Sequence, residues 1–288
     1  MIKLSQHSLH NYFSIADQHS SWHQTPVNTF NFVDRASRTL IVTVGDSWTW
    51  GSDISASNSD DACRLKHLYG NILSEELNTD WLNLGLSATS NFWLTHMVEE
   101  LGQLIPQIDY QKIHVICVFT GAGRWFYTQY DRYIHYPTWV MDNVTCAQDY
   151  DHLLIKFNQD CVKRIHQALD PYHHVSVKFG TNFVDPIGFD IVPSSQLLPH
   201  PWYRVMGCDD GQQSGVCMDG VKALLRMPEV VTDVEKLRYF KEWILNIIPY
   251  SEKRNHMLED SVKFRNYHPL AQGHQQWAQY LLTQLERS

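Results

Sequence analysis

The sequence has little charge and lacks the patterns that mark nucleic-acid-binding and membrane-spanning proteins. Charged residues make up 19% of the 288 positions, and 31 Asp and Glu outweigh 23 Lys and Arg, for a formal net charge of -8. No cluster of five or more basic residues offsets this balance, so we expect no nucleic-acid partner. No apolar run is long enough to span a bilayer, and the first residues show no secretory signal. We therefore expect a soluble protein without a signal peptide.

Patterns of metal, nucleotide and disulfide chemistry are also missing. The sequence contains no C-x-x-C pair, no H-E-x-x-H and no G-x-x-x-x-G-K-[ST], so we expect no metal ion and no cofactor. The six cysteines stand far apart, which favours reduced thiols in a cytosolic setting; they are Cys63, Cys117, Cys146, Cys161, Cys208 and Cys217. Cys117 lies in an apolar run and is expected in the core. A Cys208–Cys217 disulfide across a Gly-containing loop stays open as the less favoured alternative.

The residues that are present indicate a globular α/β domain. Hydrophobic residues make up 43% of the chain, with 14 Gly and 11 Pro, which excludes collagen-like and disordered classes. Apolar patterning predicts strands and helices in alternation. The strands are expected at 39–45, 81–85, 113–120 and 174–180, and the helices at about 60–77, 90–104, 150–169, 230–247 and 270–286. This order predicts a three-layer α/β/α sandwich with a parallel sheet, of flavodoxin-like architecture.

No repeat or shift in composition marks a second domain. We expect an irregular N-terminal arm over residues 1–38 and a single domain over residues 39–288. Within that domain, residues 181–227 are rich in Pro, Gly and Ser and predict a loop-rich insertion.

A Gly-Asp-Ser motif, Gly45-Asp46-Ser47, comes directly after the first buried strand. Ligands of α/β folds bind beyond the carboxyl ends of the strands, so this position presents Ser47 to a site. A turn in which Gly45 supplies an unusual backbone conformation is an equally good interpretation of the tripeptide alone.

A second motif, His268-Pro269, precedes the last predicted helix. Pro269 suits the first turn of that helix. His268 is therefore expected just before the N-terminus of the helix, in an extended conformation. His274 falls on the apolar face of the helix, so we expect it to pack against the core. His268 has no such packing role and is the candidate functional histidine.

Together the two motifs resemble the SGNH hydrolases, the family of GDSL-type esterases and lipases. The resemblance covers residues 39 to 285. It implies that Ser47 is the nucleophile and His268 the general base, because a serine hydroxyl needs a base to remove its proton. It also implies an oxyanion hole built from backbone N–H groups of Ser47 and of the second block.

The chain departs from the family pattern in its second and third blocks. Ala88 stands where the family has the oxyanion Gly, and its backbone N–H can still donate. Gly123 stands where the family has an Asn whose side chain completes the hole. Arg124 or Thr120 is the candidate substitute donor, although a surface ion pair is an equally good interpretation of Arg124.

The triad acid is also absent from its usual place. The family carries Asp three residues before the His, and this chain has Arg265 there. Asn266 or, if the intervening segment folds back, Asp260 or Glu259 is the candidate orienting residue. Losing the carboxylate cost about 10⁴ in kcat in a serine protease, so activity is expected to be weakened.

These residues predict a serine esterase that hydrolyses a small acyl ester. Aromatic residues from Trp125 to Trp139 follow the third strand, where core packing of an irregular segment is the favoured interpretation. They also suit stacking on sugar rings, which makes an O-acetylated glycan a candidate substrate. The alternatives are an O-acyltransferase on the same Ser-His pair and a non-catalytic module for binding or virion assembly. The chain also resembles SGNH-like proteins of phage genomes, so a cytoplasmic or virion-associated location is expected. The oligomeric state is left open.

Overall fold

A central sheet with helices on both sides organises the part of the chain that the structure describes. The computed structural model describes residues 3–5, 8–13, 30–52, 54, 61–86, 90–120, 147–182, 188–206, 264–265 and 268–285. Its strands are β1 (Asn31–Val33), β2 (Thr39–Gly45), β3 (Asp80–Asn83), β4 (Lys112–Phe119), β5 (Val175–Thr181), β6 (Phe264–Arg265) and β7 (His268–Pro269). Its α-helices are α1 (Leu9–Tyr12), α2 (Ser47–Trp50), α3 (Asp61–His67), α4 (Tyr69–Glu76), α5 (Asn91–Leu104), α6 (Ala147–Leu169), α7 (Trp202–Val205) and α8 (Ala271–Leu285).

The main sheet has the strand order β1-β3-β2-β4-β5. The four strands β3, β2, β4 and β5 are parallel, as the alternating pattern predicts. β1 pairs antiparallel with β3, so the sheet is mixed rather than wholly parallel. β1 lies within residues 1–38, where we expected an irregular arm, and that expectation is wrong for this segment. A three-residue strand carries too short a pattern to be recognised in sequence.

The two faces of the sheet are covered by different helices. On one face, β-strand residues such as Val42 and Val115 pack against α5 and α6. On the other face, Ile41 and Ile116 pack against α4 and α8. Adjacent residues of one strand therefore face opposite layers, which explains why β2 is apolar without alternation. The three-layer α/β/α class is confirmed.

The helix expected at about 60–77 is two helices, and this prediction was wrong. α3 ends at His67 and α4 starts at Tyr69, with Leu68 between them in an extended conformation (φ -69°, ψ 136°). The remaining predictions in the described ranges hold to within a few residues. The expected helix at 230–247 and most of the 181–227 insertion lie outside the described residues, and the single-domain prediction stays a prediction.

The order of the strands changes direction at the central strand β2. The chain passes from β2 to β3 on one side and later to β4 on the other side. The carboxyl ends of β2 and β4 therefore flank the topological switch point, where α/β folds bind ligands. Ser47 follows β2 and Thr120 follows β4, so both lie at this point. Within the described ranges, no helix has the length and apolar content needed to cross a membrane.

Candidate active site

Ser47 begins a one-turn helix directly beyond the central strand. Asp46 is the N-cap of α2, and its Oδ1 accepts the backbone N–H of Trp48 at 3.0 Å. Gly51 ends the helix in the left-handed conformation at φ 89°, a region that favours glycine. Ser47 is 3% exposed. Ser47 therefore lies enclosed at a strand-to-helix turn, and Gly45, the last residue of β2, does not have a positive φ.

The second block exits β3 in close contact with α2. The backbone N–H of Leu86 donates to the carbonyl of Gly45 at 3.0 Å. A Cβ added to Gly85 would lie 2.6 Å from the backbone nitrogen of Trp50, so a larger residue at 85 would displace α2. Ala88, the expected oxyanion donor, lies outside the described residues. Its block nevertheless leaves the sheet against the helix that carries Ser47.

The third block begins at Thr120, which Asn91 holds by two hydrogen bonds. Asn91 Oδ1 accepts the N–H of Thr120 at 2.9 Å, and its Nδ2 donates to the Thr120 carbonyl at 3.0 Å. Nδ2 also donates to Asn158 Oδ1 at 3.1 Å, which links the block to α6. The sequence placed Asn91 at a helix start and gave no sign of this role. Gly123 and Arg124 lie outside the described residues.

Thr120 is one of the two candidate substitutes for the missing Asn side chain. Thr120 is 2% exposed, and its Oγ1 has no hydrogen-bond partner in the described part of the chain. A buried hydroxyl without a partner costs free energy, so its retention calls for an explanation. Its place beyond β4 at the switch point suits a donor to bound substrate.

His268 reaches the same region from the far end of the sequence. It lies in β7, which pairs antiparallel with β6, and the extended backbone agrees with the sequence prediction. The last helix starts at Ala271, so Pro269 precedes it rather than occupying its first turn. β7 lies beside α2, with Cα atoms of the two elements within 8 Å. The structure thus brings the segments of Ser47 and His268 together.

Arg265 stands directly opposite His268 in the β6–β7 pair. The position where the family carries Asp is therefore the cross-strand neighbour of the candidate base. Asn266 and Asp260, the other expected orienting residues, lie outside the described residues, as does Glu259.

His274 packs in the core, as the helical pattern predicts. It is fully buried, and its Nδ1 accepts the backbone N–H of Tyr69 at 3.3 Å. Its ring stacks on that of Tyr69 with a 6.0 Å centroid separation and a 13° interplanar angle. This leaves His268 as the functional candidate of the last block.

Burial disfavours ionisation of the Cys117 thiol and of the Tyr69 hydroxyl in the core. Burial raises the pKa of the Cys117 thiol, which is fully buried as expected, so it is no nucleophile at neutral pH. Burial also raises the pKa of the Tyr69 hydroxyl, which lies 3.4 Å from Thr49 Oγ1. Among the described residues no group of three or more His, Cys, Asp or Glu side chains is placed to hold a metal ion.

Comparisons with known proteins find similarity at the level of structure only. No family model and no curated protein matches the sequence. Among solved structures, the chain is similar to a member of the lipolytic G-D-S-L family from Veillonella parvula, at 11% identity and a TM-score of 0.38, covering 87% of this chain and 100% of that one. It is also similar to a lipase from a goat rumen metagenome, at 10% identity and a TM-score of 0.36, covering 85% and 97%.

A third similar structure is a carbohydrate esterase whose active site is described as having divergent catalytic and non-catalytic binding functions. The identity is 13% and the TM-score 0.37, covering 88% of this chain and 69% of that one. The similar structures are thus GDSL-type lipolytic proteins and a carbohydrate esterase.

Proposed function

We propose that this protein is a serine ester hydrolase with Ser47 as nucleophile and His268 as general base. The observation that carries the proposal is the proximity of β7 to α2, which puts the segments at positions 47 and 268 side by side at the switch point. A strand-to-helix turn at the carboxyl end of a central strand is also where a nucleophile is accessible to a bound ligand.

The proposed reaction runs in two halves. The Ser47 Oγ attacks the acyl carbon while the imidazole of His268 takes the hydroxyl proton, and the imidazolium then gives that proton to the departing alcohol. Water next attacks the acyl-enzyme, again with the imidazole as proton acceptor. The carboxylic acid leaves, and the proton returns to Ser47.

The developing oxyanion is proposed to accept hydrogen bonds from the backbone N–H groups of Ser47 and Ala88. The hydroxyl of Thr120 is proposed as the third donor in place of the family's Asn, with Arg124 as the alternative. Thr120 Oγ1 is buried and has no hydrogen-bond partner among the residues that the structure describes, which supports this assignment. Loss of one such donor costs about 10²–10³ in rate in a serine protease.

The proposed substrate is an ester with a small acyl group, and an O-acetyl group on a glycan is the first candidate. The low exposure of Ser47 favours a small acyl chain. The aromatic residues that follow β4 in the sequence, among them Trp125, Tyr127 and Tyr130, suit stacking on a sugar ring.

A non-catalytic binding module is the second candidate, because Gly123 and Arg265 replace the two side chains that the family uses in the hole and the triad. Hydrolysis assays separate the two candidates. We expect turnover of p-nitrophenyl acetate and release of acetate from an acetylated oligosaccharide, both lost in Ser47→Ala and His268→Ala. Ser195→Ala and His200→Ala, which alter exposed residues, are the matched controls and are expected to keep the wild-type rates.

Absence of turnover on every acyl ester, with retained binding of the oligosaccharide, would support the module instead. Transfer of the acetyl group to an added sugar faster than to water would assign the same Ser-His pair to an acyltransferase.

A further inference from the structure

The side chain of Asp46, the residue before Ser47, forms a buried hydrogen bond with Asn182, which follows the edge strand β5. Asn182 Nδ2 donates to Asp46 Oδ2 at 2.8 Å, and both residues are fully buried. The other carboxylate oxygen of Asp46 caps α2 through the N–H of Trp48. The carboxylate therefore joins the start of the Ser47 helix to Asn182.

Asn182 is itself held by the sheet. It follows Thr181, the last residue of β5, and its backbone N–H donates to the carbonyl of Phe119 at 3.0 Å. Phe119 is the last residue of β4 and is opposite Thr181 in the register. The backbone of Asn182 is thus held by the two parallel strands β4 and β5, which open less readily than a loop does.

We propose that Asn182 is a positioning residue for Ser47 and acts through the carboxylate of Asp46. This inference rests on the proposed function, in which Ser47 is the nucleophile. A buried carboxylate needs donors for its oxygens, and here one donor is the helix and the other is Asn182. The pair sets the direction of the N-cap and so the direction in which the next residue leaves the sheet.

The geometry also makes the pair exchangeable. An amide at position 46 can still accept the Trp48 N–H through its oxygen and can donate through its nitrogen to a carboxylate at position 182. Asp46→Asn/Asn182→Asp therefore restores both bonds with the roles reversed. Asn182→Asp alone sets two carboxylates face to face, which are compatible only when they share a proton. Asp46→Asn alone sets two amides face to face, and a turn of the Asn182 amide that brings its Oδ1 to the new donor can restore the bond.

The test is the rate at which a fluorophosphonate probe labels Ser47 in the wild type, both single variants and the double variant. We expect Asn182→Asp to label at least tenfold more slowly, and the double variant to recover to within about threefold of the wild type. In addition, Asn182→Asp is expected to lose labelling as pH rises from 6 to 9, because the shared proton is lost, whereas wild-type labelling rises as His268 loses its proton. Circular dichroism at each pH checks that the variants are folded.

A purely structural pair would lower the melting temperature of the single variants and leave the shape of the pH profile unchanged, and that result would overturn the inference. An Asn182→Asp variant that is folded and labelled at the wild-type rate would overturn it as well, as would a double variant no faster than Asn182→Asp. Absence of labelling in the wild type is a different outcome, which contradicts the proposed function itself and removes the basis of the inference.

Discussion

Position 265 is directly opposite the candidate base His268 on the backbone. Arg265 occupies that position in the β6–β7 pair, and directly opposed residues of an antiparallel pair have Cβ atoms about 4.5–5.5 Å apart. A cation close to His268 would disfavour the imidazolium that forms in the proposed reaction, whereas a carboxylate close to it would favour it. The pairing therefore identifies position 265 as the place where the activity of the site can be changed.

Arg265→Asp is expected to increase the rate of ester hydrolysis. The introduced carboxylate orients the imidazole and stabilises its protonated form, and a gain on the order of tenfold corresponds to about 1.4 kcal/mol of transition-state stabilisation. The measurement is kcat/KM on p-nitrophenyl acetate. Arg265→Asn is the neutral control and should gain less, so equal gains in the two variants would show that removing the cation is the whole effect.

His114 is a second residue with a defined pH dependence. Burial, with smaller contributions from Lys112 and Lys178, lowers the pKa of His114 to about 4, and its Nδ1 lies 2.7 Å from Ser176 Oγ. Since the unfolded pKa is higher, the unfolded chain binds the proton first as pH falls. The contribution of His114 to stability is therefore complete above about pH 6.5 and is lost as pH falls towards 4.

We expect His114→Gln to flatten the fall in unfolding free energy between pH 6.5 and 4. Urea unfolding at a series of pH values measures the effect, which reaches on the order of 3 kcal/mol for the wild type. His173→Gln alters an exposed histidine next to β5 and is the matched control, with the wild-type pH dependence expected. A wild-type slope in His114→Gln would mean that other groups cause the acid sensitivity.

At the scale of elements, the position of α2 depends on a close contact with the second block. A Cβ on Gly85 would lie 2.6 Å from the Trp50 nitrogen and 2.8 Å from the Thr49 carbonyl carbon. Gly102 makes a similar close contact elsewhere, since its Cβ would lie 2.7 Å from the carbonyl oxygen of Ala168, between α5 and α6. The two glycines can therefore be compared directly: Gly85 packs against α2, the helix that carries Ser47, and Gly102 lies between α5 and α6.

Gly85→Ala and Gly102→Ala are each expected to lower the unfolding free energy by about 1–3 kcal/mol, because both force backbone to move. Only Gly85→Ala is expected to slow ester hydrolysis as well, by displacing the helix that carries Ser47. Thermal unfolding and kcat/KM are measured on both variants. Equal losses of activity would mean that the site responds to stability in general and not to this contact.

The break between α3 and α4 could not be predicted from the sequence. Apolar spacing continues through Leu65, Tyr69 and Ile72, so the pattern indicates one helix. In the structure the N–H of Tyr69 donates to His274 of α8 and not to a carbonyl of the preceding turn. The bond joins residues 205 positions apart, and no local pattern reports it. The helix is therefore interrupted at Leu68, where a tertiary hydrogen bond takes the place of a bond within the helix.

At the scale of the whole molecule, the parallel strands and the three layers could be predicted because each rests on a strong local pattern. β2 and β4 are apolar runs of the length of buried strands, and α5 and α8 follow one-face spacing. The antiparallel β1 was missed because a three-residue strand has no period to detect. Asn91 and Asn182 were missed because a single polar residue has no pattern, and their roles depend on strands that meet only in the folded chain.

The central claim is that the fold brings an activated Ser47 next to His268, and covalent labelling tests it most directly. A fluorophosphonate probe reacts with an activated serine whatever its natural ester. We predict a single adduct on Ser47, located by peptide mass spectrometry, that is lost in Ser47→Ala and in His268→Ala. An unlabelled wild type at pH 7 to 8.5, or full labelling of His268→Ala, would contradict the claim.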